Sequence, residues 1–249
     1  MKNNLRELLE KESQFRNQIG ELSHEKPDPL IVATKWKNDK VALISALFAY
    51  GKASLILKFL ESLPFEILES SDEVMGKELQ KFYYRFQKGE DLIAIFKALK
   101  RVGNLEEIFV AGYKKEENVI DGLKNLISEM RKVEKHDSKG YQFLLGKIPN
   151  KRKLAGFSAM KRWNLFLRWV VRKDNLDLGL WKNVSKKDLI IPLDTHTFKI
   201  SQNLGLLERK TYDLKSAVLL TEKLQEFDKN DPVKYDFALY RIGQEKIKI

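Results

Sequence analysis

Residues 39–63 read DKVALISALFAYGKASLILKFLESL, and this stretch decides the fold class. Its first half is apolar on nearly all sides, whereas its second half places apolar residues on one face at helical spacing. The pattern predicts a buried helix, a break at Tyr50 and Gly51, and a second helix that is amphipathic. We expect these two helices to form the core of one lobe.

The helical period continues outward from this stretch. Further helices are expected at about 71–86, 89–101, 104–111, 117–130, 159–172, 195–204 and 214–227, with a last helix that opens at Pro232. The polar segment RKVEKHDSKG (131–140) is expected to be a surface loop. Because no segment keeps the apolar and polar alternation of a strand, the fold class expected is all-α.

Composition excludes several classes of function. The 249 residues include no cysteine, which excludes disulfides, thiolate zinc sites, iron–sulfur clusters and a cysteine nucleophile. The three histidines are scattered and give almost no metal signal. We expect no bound metal and no organic cofactor. The net charge of +11 favours an anionic partner such as nucleic acid, although a lysine-rich housekeeping protein would have the same composition.

Asp194 is the first candidate for a functional side chain. Pro192 prevents a helix from continuing through Ile190 and Ile191, so Asp194 stands where the N-cap of the next helix belongs. One interpretation is a structural N-cap only. The other is a carboxylate that the helix start holds rigidly in a partly dry site.

Lys161 is the second candidate. It begins an apolar helix directly after a turn that contains Gly156. A lysine at this position is either a surface residue whose stem lies along apolar neighbours or, in its neutral form, a nucleophilic amine.

Together the two segments resemble a known family. LAGFSAMK (154–161) and IPLDTHT (191–197) are similar to the hairpin L-P-G-V-G-x-K and the later V-P-V-D-T-H-V of the helix-hairpin-helix DNA glycosylases, the superfamily that includes endonuclease III. The resemblance implies that Lys161 is the Schiff-base nucleophile and Asp194 the essential carboxylate.

Three departures from that pattern select a branch of the superfamily. The hairpin is one residue longer and lacks the second glycine, and Asp194 follows Lys161 by 33 residues. No cysteine cluster follows the Asp194 helix. The pattern resembles most closely the archaeal 8-oxoguanine DNA glycosylase branch.

The resemblance also implies a pocket for the damaged base. In that branch an aspartate of the terminal helix reads the base, and an aromatic residue one turn later stacks on it. Asp236 and Tyr240 match these positions, four residues apart and hence on one helix face. The alternative is that this helix packs Phe237 and Tyr240 on the core.

DNA contacts are expected around the hairpin, whose backbone amides would bind a phosphate with nearby cations. The residues predicted to contact DNA are Lys153, Gly156, Phe157, Ser158, Arg162 and His196. A second cluster, FYYRF (82–86), either contacts nucleic acid or packs in the core.

The sequence therefore predicts two helical lobes, about 35–160 and about 1–34 plus 161–249, with a helix-hairpin-helix motif beside an interlobe cleft. The activity implied by the resemblance is a bifunctional DNA glycosylase and AP lyase for 8-oxoguanine, without a cofactor. Alternatives are a glycosylase for another damaged base and a non-catalytic helical DNA-binding protein.

We expect a monomer that binds damaged double-stranded DNA and no membrane. The charged N-terminus and the absence of an uncharged apolar run of 18 residues predict a cytoplasmic protein. The DNA-repair activity that the resemblance implies would make it nucleoid-associated.

Overall fold

A computed structural model describes residues 2–245 and the side chains of residues 4–245. Within this range the chain forms helices and no strand, so the all-α prediction is confirmed. In chain order the helices are α1 (Lys2–Arg16), α2 (Leu30–Trp36), α3 (Asp39–Leu47), α4 (Ala53–Glu61), α5 (Asp72–Leu79), α6 (Gly89–Val102), α7 (Leu105–Tyr113), α8 (Val119–Val133), α9 (Lys139–Leu145), α10 (Lys161–Val171), α11 (Thr195–Asn203), α12 (Leu214–Gln225) and α13 (Asp236–Glu245). No helix of the described residues is both long enough and apolar enough to span a membrane.

The chain divides into two compact units. Unit 1 comprises Met1–Lys26 and Lys151–Ile249, and unit 2 comprises Pro27–Asn150. Both boundaries differ from the predicted ones at 34/35 and 160/161. Helix α2 belongs to unit 2 because it packs against α3 and α4. The hairpin belongs to unit 1 because the Phe157 carbonyl accepts a hydrogen bond from the Leu214 amide at 2.9 Å.

Unit 2 is built around α3, whose residues 41–47 are all buried. As predicted, the helix ends before Tyr50 and Gly51, and α4 begins at Ala53. Helices α7 and α8 lie close together because Gly122 has no side chain: a Cβ there would stand 2.6 Å from the ring of Phe109.

The helix predicted at 71–86 is shorter than expected. Helix α5 ends at Leu79, and the chain then turns so that Tyr84 and Gln87 exchange backbone hydrogen bonds. The Tyr84 ring is buried and stacks on Phe59 with centroids 4.7 Å apart. This anchoring of Tyr84 outside the helix explains the difference. The loop expected at 131–140 is also shorter, since α8 continues to Val133 and α9 begins at Lys139.

In unit 1, α13 packs against both α1 and α11. Helix α10 contributes large side chains to the core, among them Trp163, Phe166 and Trp169. Between α9 and α10, residues 146–160 form turns and no helix, so the hairpin is followed directly by a helix but not preceded by one.

Candidate active site

Helix α10 begins at Lys161 after an unusual backbone conformation. The preceding residue, Met160, is buried and has φ 52° and ψ 31°, the left-handed region that residues other than glycine rarely adopt. Within the first turn, the Asn164 amide nitrogen Nδ2 donates to the Ala159 carbonyl at 3.3 Å. The buried Met160 and this bond fix the direction in which α10 leaves the hairpin, and with it the position of Lys161.

Asp194 is the N-cap of α11, as predicted from Pro192. Its Oδ1 atom accepts hydrogen bonds from the backbone amides of His196 and Thr197, both at 2.8 Å. Two amides of an exposed helix end are thereby satisfied by one oxygen. The carboxylate orientation is fixed, and the other oxygen is left for a different partner.

That partner is the amine predicted from the sequence. Lys161 Nζ lies 3.9 Å from Asp194 Oδ2. The Lys161 side chain is 31 % exposed and that of Asp194 is 13 % exposed, so an amine and a carboxylate meet at a partly open place. The starts of α10 and α11, 33 residues apart in the chain, are brought together here.

Asp236 lies deeper in the same unit. It is buried and accepts a hydrogen bond from Arg168 Nη1 at 2.6 Å. Burial raises the pKa of Asp236 to about 6, although the positive charge of Arg168 opposes this shift. Two weaker effects come from the candidate pair: the negative charge of Asp194 raises the pKa of Asp236, and the positive charge of Lys161 lowers it. Asp236 is therefore electrostatically coupled to the Lys161–Asp194 pair.

Tyr240 lies beside the first turn of α11. Its half-buried ring is 6.1 Å from the ring of His196 and perpendicular to it. Gly243, one turn further along α13, permits this approach, since a Cβ there would lie 3.1 Å from the His196 carbonyl oxygen. The structure thus brings Tyr240 to the helix start that carries Asp194.

A buried ionic network holds Asp236 in place. Arg168 stands seven residues after Lys161 and binds Asp177 through Nε at 3.2 Å and Nη2 at 3.1 Å. Arg172 in turn binds Asp177 and, with Nε at 2.8 Å, Asp231. Although burial disfavours its charge, the two aspartates beside Arg168 raise the pKa of its guanidinium.

This network was missed in the sequence. Arg168 and Arg172 lie in the helix predicted at 159–172, and neither was singled out there as a functional residue. Their spacing, one turn apart on a helix that is otherwise largely buried, is the signal that could have indicated buried ion pairs.

The hairpin has an anionic partner within the chain. The Gly156 amide donates to Asp213 Oδ2 at 2.8 Å. Asp213 also accepts from the Ser216 amide at 2.9 Å, as the N-cap of α12, and pairs with Arg209. Despite the cost of desolvation, Arg209 and the two amides hold the pKa of Asp213 well below its usual range. A DNA phosphate at Gly156 would have to compete with this carboxylate.

The other residues predicted to contact DNA differ in exposure. Lys153 and Ser158 are exposed, and Phe157 and Arg162 are half-buried. His196 is exposed at the start of α11. Among residues 4–245, no group of three or more histidine, aspartate or glutamate side chains is placed to hold a metal ion.

The fold and the site define an all-α protein in which a lysine and an aspartate meet at the starts of two helices. The chain belongs to the family described as "Protein of unknown function (DUF2400)", whose model matches residues 28–245. No curated protein and no solved structure matches the chain.

Proposed function

We propose that this protein is a DNA glycosylase with an associated β-elimination lyase activity, acting on duplex DNA that carries a damaged base. The observation that carries the proposal is the 3.9 Å approach of Lys161 Nζ to Asp194 Oδ2. The two backbone amides on Asp194 Oδ1 keep the second oxygen directed at the amine. An amine nucleophile with a fixed carboxylate beside it suits displacement at a sugar carbon that becomes positively charged.

In the first step, neutral Lys161 attacks C1′ of a nucleotide that has been rotated out of the duplex. A bond forms between Nζ and C1′, and the glycosidic bond breaks. Its electron pair leaves with the base, which takes up the proton that Nζ loses on bonding to C1′. Asp194 stabilises the positive charge that develops on the sugar and accepts a hydrogen bond from the amine.

In the second step, the sugar ring opens. The C1′–O4′ bond breaks, O4′ takes up a proton, and the lysine nitrogen forms a protonated Schiff base with C1′. This cation acidifies the C2′ hydrogen, whose removal expels the 3′ phosphate. Water then hydrolyses the Schiff base and releases Lys161.

The proposed lesion is 8-oxoguanine, and it rests on the resemblance to the archaeal branch. Asp236 and Tyr240 are the proposed pocket residues: the ring of Tyr240 would stack on the base, and the Asp236 carboxylate, which is buried and binds Arg168, would accept a hydrogen bond from the base edge after a rearrangement that exposes it. Tyr240 lies against His196, two residues after Asp194, and this contact supports its belonging to the same site as Asp194. In this proposal the protein acts as a monomer in the cytoplasm, at the nucleoid.

Borohydride trapping on a duplex oligonucleotide with one 8-oxoguanine tests the proposal. Wild type should form a covalent adduct, because borohydride reduces the Schiff base to a stable amine. Lys161→Gln should form none while still binding the duplex. Lys199→Gln is the matched control, since Lys199 is an exposed lysine on α11, the helix that Asp194 caps.

The same assay separates the alternatives. An adduct with another damaged base, and none with 8-oxoguanine, would change the lesion and keep the mechanism. No adduct with any lesion, together with lesion-independent DNA binding, would identify a non-catalytic DNA-binding protein. An adduct with Lys161→Gln would show that another amine is the nucleophile.

A further inference from the structure

Three aromatic rings meet on the surface of unit 2. Tyr50, Phe86 and Phe143 have ring centroids 4.8–6.1 Å apart, and we call these three residues the aromatic platform. Phe86 is 46 % exposed and Phe143 is 39 % exposed. Large apolar rings clustered in solvent contact are uncommon on a protein surface and mark a place of binding.

Hydrogen bonds hold Tyr50 of the aromatic platform in a fixed position. The Tyr84 hydroxyl donates to the Tyr50 carbonyl at 2.8 Å, and the Tyr50 hydroxyl donates to the side chain of Gln87. Gly51 has φ 108°, and a Cβ there would lie 2.9 Å from Arg85 Nη1. The glycine thus leaves room for Arg85, whose Cζ is 5.7 Å from the Tyr50 ring centroid.

The short segments that carry the platform are basic, with Glu90 and Asp137 the nearest exposed acidic residues in the sequence beyond them. Residues 50–52, 84–88 and 139–147 contain no aspartate and no glutamate. Their cationic side chains are all exposed: Lys52, Arg85, Lys88, Lys139 and Lys147. Lysine is depleted at protein–protein interfaces, whereas rings interleaved with cations are typical of surfaces that bind nucleic-acid strands.

We propose that the aromatic platform binds unpaired nucleobases of a nucleic-acid strand, with Arg85 and the exposed lysines of the same segments on its phosphates. Every base offers a flat π-face to a ring, so such binding tolerates sequence and requires unstacked bases. The platform lies wholly within unit 2. The inference is independent of the lyase proposed for unit 1, because it concerns binding without cleavage.

Fluorescence anisotropy with the full chain tests this inference. The probes are a labelled single strand of about 12 nucleotides and a strand of equal length built from tetrahydrofuran abasic residues, which lack the C1′ hydroxyl and so form no Schiff base with Lys161. Wild type should bind the strand with bases on the order of tenfold more tightly than the baseless strand. The double variant Phe86→Ala/Phe143→Ala should lose this preference and keep its affinity for the baseless strand.

Two further variants control for the loss of an exposed ring elsewhere and for poor folding of the double variant. Phe15→Ala is the matched control, because Phe15 is an exposed ring of unit 1 that also lies beside an arginine, and it should change neither affinity. Phe86→Leu keeps apolar bulk and removes the ring, so it should weaken binding of the strand with bases even if the double variant folds poorly.

Three results would overturn the inference. The first is equal wild-type affinity for the two strands, which would leave only phosphate contacts. The second is binding of poly-glutamate as tight as binding of the strand with bases, which would indicate an acidic protein partner. The third is a dimer in solution that Phe86→Leu dissociates, which would assign the platform to a second copy of the chain.

Discussion

Two aspartates of unit 1 occupy the same local position and have different partners. Asp194 caps α11 by accepting from the amides of His196 and Thr197, and Asp213 caps α12 by accepting from the amide of Ser216. In both cases the backbone of the aspartate itself is extended, and its carboxylate closes the first turn of the helix. The local sequence therefore defines the same structural role twice.

The two aspartates differ in the partner of their second carboxylate oxygen, Oδ2. For Asp194 it faces an amine, Lys161 Nζ, at 3.9 Å. For Asp213 it accepts from the Gly156 amide and pairs with Arg209, so that carboxylate joins α12 to the hairpin. A capping aspartate can thus lie beside an amine or join two segments of the chain, and what decides is a partner that is distant in the chain.

The largest expected effect is on the chemistry. Asp194→Asn keeps an oxygen that can cap α11 and removes the charge beside Lys161, so we expect the rate of borohydride-trapped adduct formation to fall about 100-fold or more. Asp213→Asn should reduce that rate much less. Equal losses in the two variants would show that the capped geometry matters and the Asp194 charge does not.

The second-largest expected effect is on stability, and here Asp213 matters more than Asp194. Asp213→Ala leaves the Gly156 and Ser216 amides and Arg209 without their acceptor, and should lower the free energy of unfolding by about 2 kcal/mol. Asp194→Ala removes a cap and should cost about 1 kcal/mol. Urea unfolding of both variants measures the difference, and a larger loss at Asp194 would contradict this assignment.

Local features of the fold were predictable from the sequence. The break at Tyr50 and Gly51 and the cap at Asp194 follow from residue types that act on their immediate neighbours. The end of α5 at Leu79 was not predicted, because Tyr84 leaves the helical path to pack on Phe59, a partner outside the local window.

The candidate site was predictable only in part. Lys161 and Asp194 were found from the order of two segments, which resembles a known pattern. The bonds of Arg168 to Asp236 and of Gly156 to Asp213 span 68 and 57 residues. No periodicity specifies such pairs, since each residue is locally an ordinary polar position in its helix or turn.

A third aspartate, Asp236, is buried and provides a contrast in pH dependence. Because burial raises the pKa of Asp236 to about 6, its folded form binds a proton more tightly than the unfolded chain does. Its contribution to stability is therefore present at low pH and is lost as the pH rises through 6. Relative to Asp236→Asn, wild type should lose about 1 kcal/mol between pH 5 and pH 7.

Chemical denaturation of both proteins at the two pH values measures this difference, in which the titration of other groups cancels. Asp213 has the opposite sign: its pKa is lowered, so its contribution is lost as the pH falls below 4. A gap between wild type and Asp236→Asn that does not change from pH 5 to pH 7 would contradict the raised pKa of Asp236.

The smallest expected effect on stability comes from the ion pair between Asp213 and Arg209. Arg209 pairs with Asp213 at 2.5 Å from a partly exposed position. Arg209→Gln should lower the urea midpoint by less than Asp213→Ala does, because the Gly156 and Ser216 amides still bind the carboxylate. The loss should shrink further in high salt, which screens a partly exposed ion pair and leaves amide hydrogen bonds almost unchanged. A loss that equals that of Asp213→Ala, and that salt does not alter, would mean that Arg209 rather than the two amides ties the hairpin to α12.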